Sequence, residues 1–475
     1  MKSDEIWQSI TAGLPKTPSP SETIPLPEIL RVMEYCLDNR VEKFNAAIDL
    51  LDCIAPLRND IEFLNFKAMV EFVAKKYNRC LQTSEQILNH YKDTNTYFNA
   101  GRAAYKANQL EKSLEYLTKS LELDPENVSV LLDYAVTICT MGDFDGSLDI
   151  INNIDKSKYS ERDQKVTDFN KGWHTIRKGD FKKGMALLNI GRDLKLLGTH
   201  SDKYDQPEWD GTTYEGKTIL IVGEGGIGDE VINARFSKII KERGMKCIMS
   251  TVHNNQSMLS SVRMIDKVID NKDIRKEKWD YWVPCMSLPY KLGIDSNEIP
   301  NEPYLFAKPG YVVKWKNRIK SDKKLNIGIR WMGNPLYELE LARTIPVEYF
   351  DELSKYDVQL WSLQKDDGVP FRLPTNTIDL ASGFENWDDT MGAIMNMDLV
   401  ITSCTSVAHV AAALGKPTWV VMPLLPYYTW ADMKKESYWY KNVSCYRQRV
   451  WQDWSAPFDE LKKDLEHEIK LSNSN

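Results

Sequence analysis

The chain holds no C-x-x-C pair, no H-x-x-x-H spacing and a single D-x-D, Asp143-Phe-Asp145. Its eight cysteines, Cys36, Cys53, Cys80, Cys139, Cys247, Cys285, Cys404 and Cys445, stand apart from one another. That dispersal argues against a disulfide framework or a zinc cluster and reads as reduced, mostly buried thiols. No metal site is expected, because the lone D-x-D sits in a repeat turn and the six histidines are scattered. There is no apolar run near 18 residues, and Met1-Lys-Ser-Asp-Glu-Ile-Trp7 has no signal-peptide core, so no membrane span and a cytoplasmic location are expected. A formal charge of −7 argues against wholesale nucleic-acid binding. With 475 residues, 42% hydrophobic and 27% charged, the chain has material for about three soluble globular domains.

Residues 13–27 hold five prolines, so residues 1–27 read as an extended leader. A 34-residue frame carrying Pro125 near its end then places Tyr97, Ala100, Gly101, Ser113, Leu117 and Ser120 at the packing positions of a tetratricopeptide helix pair. The next frame gives Leu131, Tyr134, Ala135, Ser147, Ile151 and Ile154, with Gly142-Asp143-Phe144 as its turn. Gly172-Trp173, Gly179-Asp180-Phe181, Gly184 and Leu188 continue the pattern, and a weaker unit includes Phe63, Ala68 and Cys80. About five helix pairs over 28–195 are expected, stacked so that a concave face is available to a protein or peptide partner.

A polar stretch, 196–215, precedes a change of period. Thr218 to Val222 is an apolar strand, followed by Gly223-Glu224-Gly225-Gly226-Ile227-Gly228-Asp229 and a helical pattern. Further strands are expected at Cys247–Thr251, Lys267–Ile269 and Tyr281–Val283. A second half opens at Leu325 and continues with strands at Gln359–Leu363, Thr377–Leu380, Leu399–Thr402 and Thr418–Met422. Both halves read as parallel sheets covered by helices. Gly223, Gly225 and Gly228 satisfy G-x-G-x-x-G, which raises an NAD-dependent Rossmann enzyme as a reading. The second strand ends at Ser250-Thr-Val-His253 without the acidic residue that would hold a ribose.

The stretch Asp398 to Met422 carries the most information. Leu399 to Ile401 form a strand, Thr405 or Ser406 can cap the helix that follows, Gly415 stops it and Pro417 prevents its continuation. The start of such a helix favours a phosphate. His409, one turn on, leans back towards the same anion.

Thr405-Ser406-Val407-Ala408-His409, Ala413-Leu414-Gly415-Lys416-Pro417 and Leu425-Pro426-Tyr427-Tyr428-Thr429-Trp430 resemble the C-terminal half of heptosyltransferase-like (GT9-like, GT-B) glycosyltransferases. Relatives in that family carry an N-terminal tetratricopeptide array, and the resemblance spans about 216–465. It implies an α plus α/β fold: a repeat array followed by two Rossmann-like parallel-sheet domains, at 216–316 for the acceptor side and 317–454 for the donor nucleotide sugar. A helix at 455–475 is then expected to cross back onto the first half. The resemblance further implies inverting, metal-independent transfer from a nucleotide sugar, used as a substrate with no cofactor. Asp229 becomes the general base, beside the glycine turn Gly225, Gly226 and Gly228. Thr405, Ser406, His409 and Arg343, with Arg330 in reserve, become the diphosphate-binding set, and Trp331, Asn334, Cys404 and Trp430 candidate donor-pocket residues. Trp439 and Tyr440 are candidates for the same pocket or for core. The loop Tyr337 to Thr344 departs from the family pattern, which keeps a second reading open: a binding scaffold of the same fold without turnover.

Overall fold

Acidic and hydroxyl side chains set the helix starts of the first part of the chain. Asp60, Asp93, Asp143, Ser160 and Asp180 each accept a backbone N–H two or three residues into the helix that follows. A computed structural model describes residues 60–198, 204–334, 340–365, 371–431 and 434–472, together with Ile48, Leu51 and Asp52. The expected leader at 1–27 lies outside the described residues, as do nearly all of 28–59, part of the polar stretch at 199–203 and the loop centre at 335–339. Among the described residues from 60 to 189 there are eight α-helices of four residues or more: Ile61–Val73, Tyr77–Leu88, Thr94–Lys106, Leu110–Leu123, Val128–Thr140, Phe144–Asn153, Glu161–Arg177 and Phe181–Asn189. Ile61–Val73 packs with Tyr77–Leu88, Thr94–Lys106 with Leu110–Leu123, and Glu161–Arg177 with Phe181–Asn189. Ala100, Ser113, Leu117 and Ser120 are fully buried, as the repeat frame requires. In the last pair, Gly184 has no side chain because a Cβ there would lie 2.9 Å from Ile176 N and 3.0 Å from Gly172 O.

Two all-parallel sheets follow. Strands β1 (Thr218–Val222), β2 (Lys246–Thr251), β3 (Lys267–Asp270) and β4 (Tyr281–Pro284) form one, in the order β3-β2-β1-β4. Strands β5 (Leu325–Arg330), β6 (Val358–Ser362), β7 (Thr377–Asp379), β8 (Leu399–Ser403), β9 (Thr418–Met422) and β10 (Val443–Arg447) form the other, in the order β10-β9-β8-β5-β6-β7. Among the described residues the paired strands of both sheets run parallel, from Ile219 opposite Cys247 to Ile329 opposite Ile401. The order reverses beside β1 in the first sheet and between β5 and β8 in the second. In open parallel sheets, ligands bind outside the carboxyl ends of strands at such reversals.

Burial places the last repeat helices and the final helix. The chain divides into compact units at Met1–Ile138 and Cys139–Asn475, so the last repeat helices share a unit with the α/β lobes. The reason is burial: Ile176, Phe181, Met185 and Leu188 belong to the same core cluster as Val283, Tyr428 and Trp439. The final helix, Ser455–Ser472, was expected to cross to the first lobe. Instead its Phe458, Leu461 and Leu465 pack with Ile327, Phe350, Leu360 and Tyr446, closing the core of the second lobe.

Candidate active site between the two lobes

Each glycine of the first turn answers to its surroundings. A Cβ on Gly223 would meet Ser250 O at 2.4 Å, Gly225 has φ +72 and faces the Asp229 carboxylate, and Gly228 opposes the second lobe. Gly226 is the N-cap of the helix Ile227–Ala234, with Asp229 in its first turn. The end of β2, where a dinucleotide's ribose would bind, is taken by Glu230. That fully buried carboxylate accepts Thr251 Oγ1 at 2.6 Å, Asn255 Nδ2 at 2.9 Å and Val252 N at 2.9 Å. The G-x-G-x-x-G spacing is thus accounted for by packing.

Asp229 is half-buried. Its Oδ2 accepts Gly226 N–H at 2.7 Å and its Oδ1 accepts the Tyr427 hydroxyl at 2.7 Å. Loss of solvent pushes its pKa above that of an ordinary aspartate, while the Tyr427 and Gly226 donors pull it back. A base for a hydroxyl proton gains from such a rise.

In the second lobe, β8 runs into Cys404-Thr405 and the helix Ser406–Ala413. Thr405 takes the N-cap position in extended backbone, φ −120 and ψ 177, but its hydroxyl does not cap. It lies 3.5 Å from Thr402 Oγ1 instead. The first-turn N–H groups of this helix therefore lack a side-chain cap. Gly228 brings the two helix starts together: a Cβ there would stand 3.4 Å from His409 Cδ2 and 3.7 Å from Ser406 Cα.

His409 is 4% exposed, stacked on Trp430 at 4.9 Å and 15°, with Nδ1 3.0 Å from the Tyr440 hydroxyl. Burial first, then Arg235 and Arg343, pull its pKa down to about 3, so it is a neutral imidazole near pH 7. His174, buried in the last repeat pair with Nε2 3.1 Å from Ser147 Oγ, is pulled down to about 4 by burial and by Arg177 and Lys178. Both rings bind protons more weakly folded than unfolded, where the pKa is 6.5. Their stabilising neutrality is complete above pH 6.5 and is lost as the pH falls towards 4 and 3. The thermal midpoint is expected to fall on acidification from pH 6.5 to 4, with His174→Gln flattening the slope. Equal slopes in a pH series of melts would contradict this.

Of the two candidate cations, Arg343 reaches the turn. Its Nη1 donates to Cys404 O at 2.8 Å and its Nε to Glu340 Oε2 at 2.6 Å. Arg330 donates to Met332 O at 2.9 Å and Leu363 O at 3.4 Å, bracing the loops after β5 and β6. Cys404 is buried, and burial pushes its thiol pKa up. Asn334 is exposed. Trp331 and Trp430 are both buried. Trp331 lies in the second-lobe core against Phe350 and Phe371, and Trp430 lies beneath His409, because an apolar ring gains more from that packing than from the cleft edge.

Sequence reasoning missed five residues: Tyr427 as a donor to Asp229, Glu230, Arg235, and Arg192 paired with Glu224. Arg192 sends Nη1 and Nη2 to the Glu224 carboxylate at 3.1 and 2.5 Å, tying the end of the last repeat to the glycine turn. Glu224 and Glu230, acidic residues inside a glycine-rich stretch, were the available signal.

Among the described residues no helix is long and apolar enough to cross a membrane. The tetratricopeptide repeat family matches residues 94–127. Protein FlbA of Caulobacter vibrioides (strain ATCC 19089 / CIP 103742 / CB 15) is 21% identical over 495 residues, covering 86% of this chain and 78% of that protein. Among solved structures, E. coli ADP-heptose lps heptosyltransferase II matches over 53% of this chain and 99% of its own, with 15% identity and a TM-score of 0.37. A Thermobaculum terrenum O-GlcNAc transferase mutant matches over 100% of this chain and 92% of its own, with 10% identity and a TM-score of 0.39.

Proposed function

We propose that the chain is an inverting, metal-independent glycosyltransferase that binds a nucleotide sugar between its two α/β lobes, with the repeat array recruiting a protein acceptor. One observation supports the reading: the helix that carries Asp229 in its first turn meets, at Gly228, the start of a helix that has no side-chain cap, and both turns lie where their sheets reverse order. Asp229 takes the proton of an acceptor hydroxyl while that oxygen bonds to the anomeric carbon. The bond from that carbon to the diphosphate oxygen breaks on the opposite face, and the nucleoside diphosphate leaves with the electron pair. Its charge is met by the N–H groups after Thr405, by Ser406 and by Arg343. Neutral His409 offers an N–H rather than a charge in the tautomer where the Tyr440 hydroxyl, 3.0 Å away, donates to Nδ1 and the proton sits on Nε2. The donor enters as a substrate, and this chemistry calls on no cofactor.

Nucleotide sugars are screened by thermal shift, where a ligand at 100 times its Kd adds roughly 2.7 kcal/mol. Each binder is then assayed for nucleoside diphosphate release in acceptor-containing lysate. His409→Ala is expected to abolish transfer and weaken nucleotide binding by about tenfold, the loss of one hydrogen bond to an anion. An unchanged nucleotide affinity in that variant would remove His409 from the site. The scaffold reading draws on the Glu340–Arg343 pair, which already neutralises the cation at the turn. Binding of a nucleotide sugar without release of nucleoside diphosphate would favour it.

A further inference from the structure

Tyr427 belongs to the segment after β9, in the second lobe, yet its hydroxyl donates to Asp229 in the first. Its ring lies 4.6 Å from Tyr428 and 6.1 Å from Trp173, centroid to centroid. Trp173 projects from the repeat helix Glu161–Arg177 and also meets Tyr428, at 6.3 Å. Tyr428 is fully packed and leans edge-on against Trp439 at 5.7 Å. A line of rings therefore joins the last repeat pair to the carboxylate. Asp229 is held on both oxygens, by Gly226 N–H on Oδ2 and by the phenol on Oδ1. A carboxylate oxygen accepts two hydrogen bonds, so each retains a lone pair for an incoming hydroxyl.

We propose that Tyr427 is the positioning residue of the general base, holding the Asp229 carboxylate towards the acceptor, and that Trp173 braces Tyr427, making the last repeat pair part of the catalytic site. The proposal rests on the reading of Asp229 as base. The gain is geometric: a free aspartate at a helix start samples several rotamers, and fixing one keeps the base within hydrogen-bond reach of the proton it takes. The phenol also opposes the effect of burial on the carboxylate, since it donates to the charged form.

Asp229 can be titrated without substrate in full-length protein labelled with 13C-carboxyl aspartate, its resonance being the one missing from Asp229→Asn. Tyr427→Phe keeps the ring and its packing and removes only the donor. It is expected to raise the Asp229 pKa by about one unit, making the acidic side of the kcat/KM profile about tenfold lower at a given pH, and to lower kcat several-fold at the plateau. The profile is read as nucleoside diphosphate release from the nucleotide sugar that the thermal screen selects. Trp173→Leu is expected to shift the same limb in the same direction by less, with donor KM within twofold of wild type. An Asp229 titration and an acidic limb that stay in place in Tyr427→Phe would overturn the positioning role. A fully active Asp229→Asn would instead overturn the assignment of the base, a distinct result.

Discussion

Asp229→Asn is expected to slow sugar transfer by about 10²–10⁴-fold while leaving nucleotide affinity within about twofold. The amide is nearly isosteric with the carboxylate and still accepts the Tyr427 hydroxyl through its oxygen. What it loses is the ability to take a proton. The helix start loses one hydrogen bond: with the amide oxygen on Tyr427, the NH2 group faces the Gly226 N–H that Oδ2 accepts at 2.7 Å, a cost of about 1–3 kcal/mol in stability. The nucleotide is proposed to sit on the other lobe, at the helix Ser406–Ala413, so binding and chemistry separate in this variant and fall together in His409→Ala. Nucleoside diphosphate release, nucleotide calorimetry and a thermal melt on the same preparation distinguish the cases. Transfer within threefold of wild type would mean that Asp229 is not the base.

Arg235→Met should destabilise the protein by about 2–4 kcal/mol, the largest stability effect expected of a single change near the cleft. Arg235 is 1% exposed and follows the helix Ile227–Ala234. Its Nε donates to Ile232 O at 2.8 Å, its Nη1 to Pro300 O at 3.1 Å and to Trp439 O, and its Nη2 to the Tyr304 hydroxyl at 3.2 Å. The guanidinium also lies 4.2 Å from the Tyr440 ring. Methionine fills much of the volume but strands these acceptors without a donor. Relief from burying a charge offsets part of the loss, which keeps the figure below the sum of the bonds. Because Trp439 belongs to the second lobe, the change also loosens the contact between lobes. Denaturant or thermal unfolding within 0.5 kcal/mol of wild type would contradict this account.

Local signals in the chain were enough for the elements and not for their partners. Leu399 to Ile401, Gly415 and Pro417 mark a strand, a helix stop and a break, and the structure places β8, a Gly415 with φ +83 and β9 there. β10 was not anticipated: Val443-Ser-Cys-Tyr-Arg447 is short, without a clear apolar alternation, and follows a long irregular segment. Thr405 was legible as the N-cap residue. That its hydroxyl faces Thr402 was not, because rotamers follow from packing around the turn. Tyr427 is 198 residues from Asp229, and Arg235 is 204 from Trp439. No periodicity links residues so far apart, and only the folded lobes bring them together. The aromatic residues were ambiguous for a related reason. A tryptophan after a strand has the same local pattern whether it faces a ligand or a core, and burial decided for Trp331 and Trp430.

The last repeat pair bears on any attempt to exchange the array for another. Phe181 meets Tyr438 and Trp439 at 6.1 and 5.7 Å, and Arg192 clamps Glu224 beside the glycine turn. A chimaera joined within the polar stretch 196–215 would strip these rings of their cover and leave a carboxylate buried without its guanidinium. Grafts joined upstream of residue 139 would carry the native pair along, so the transplantable portion of the array is shorter than its repeat count suggests.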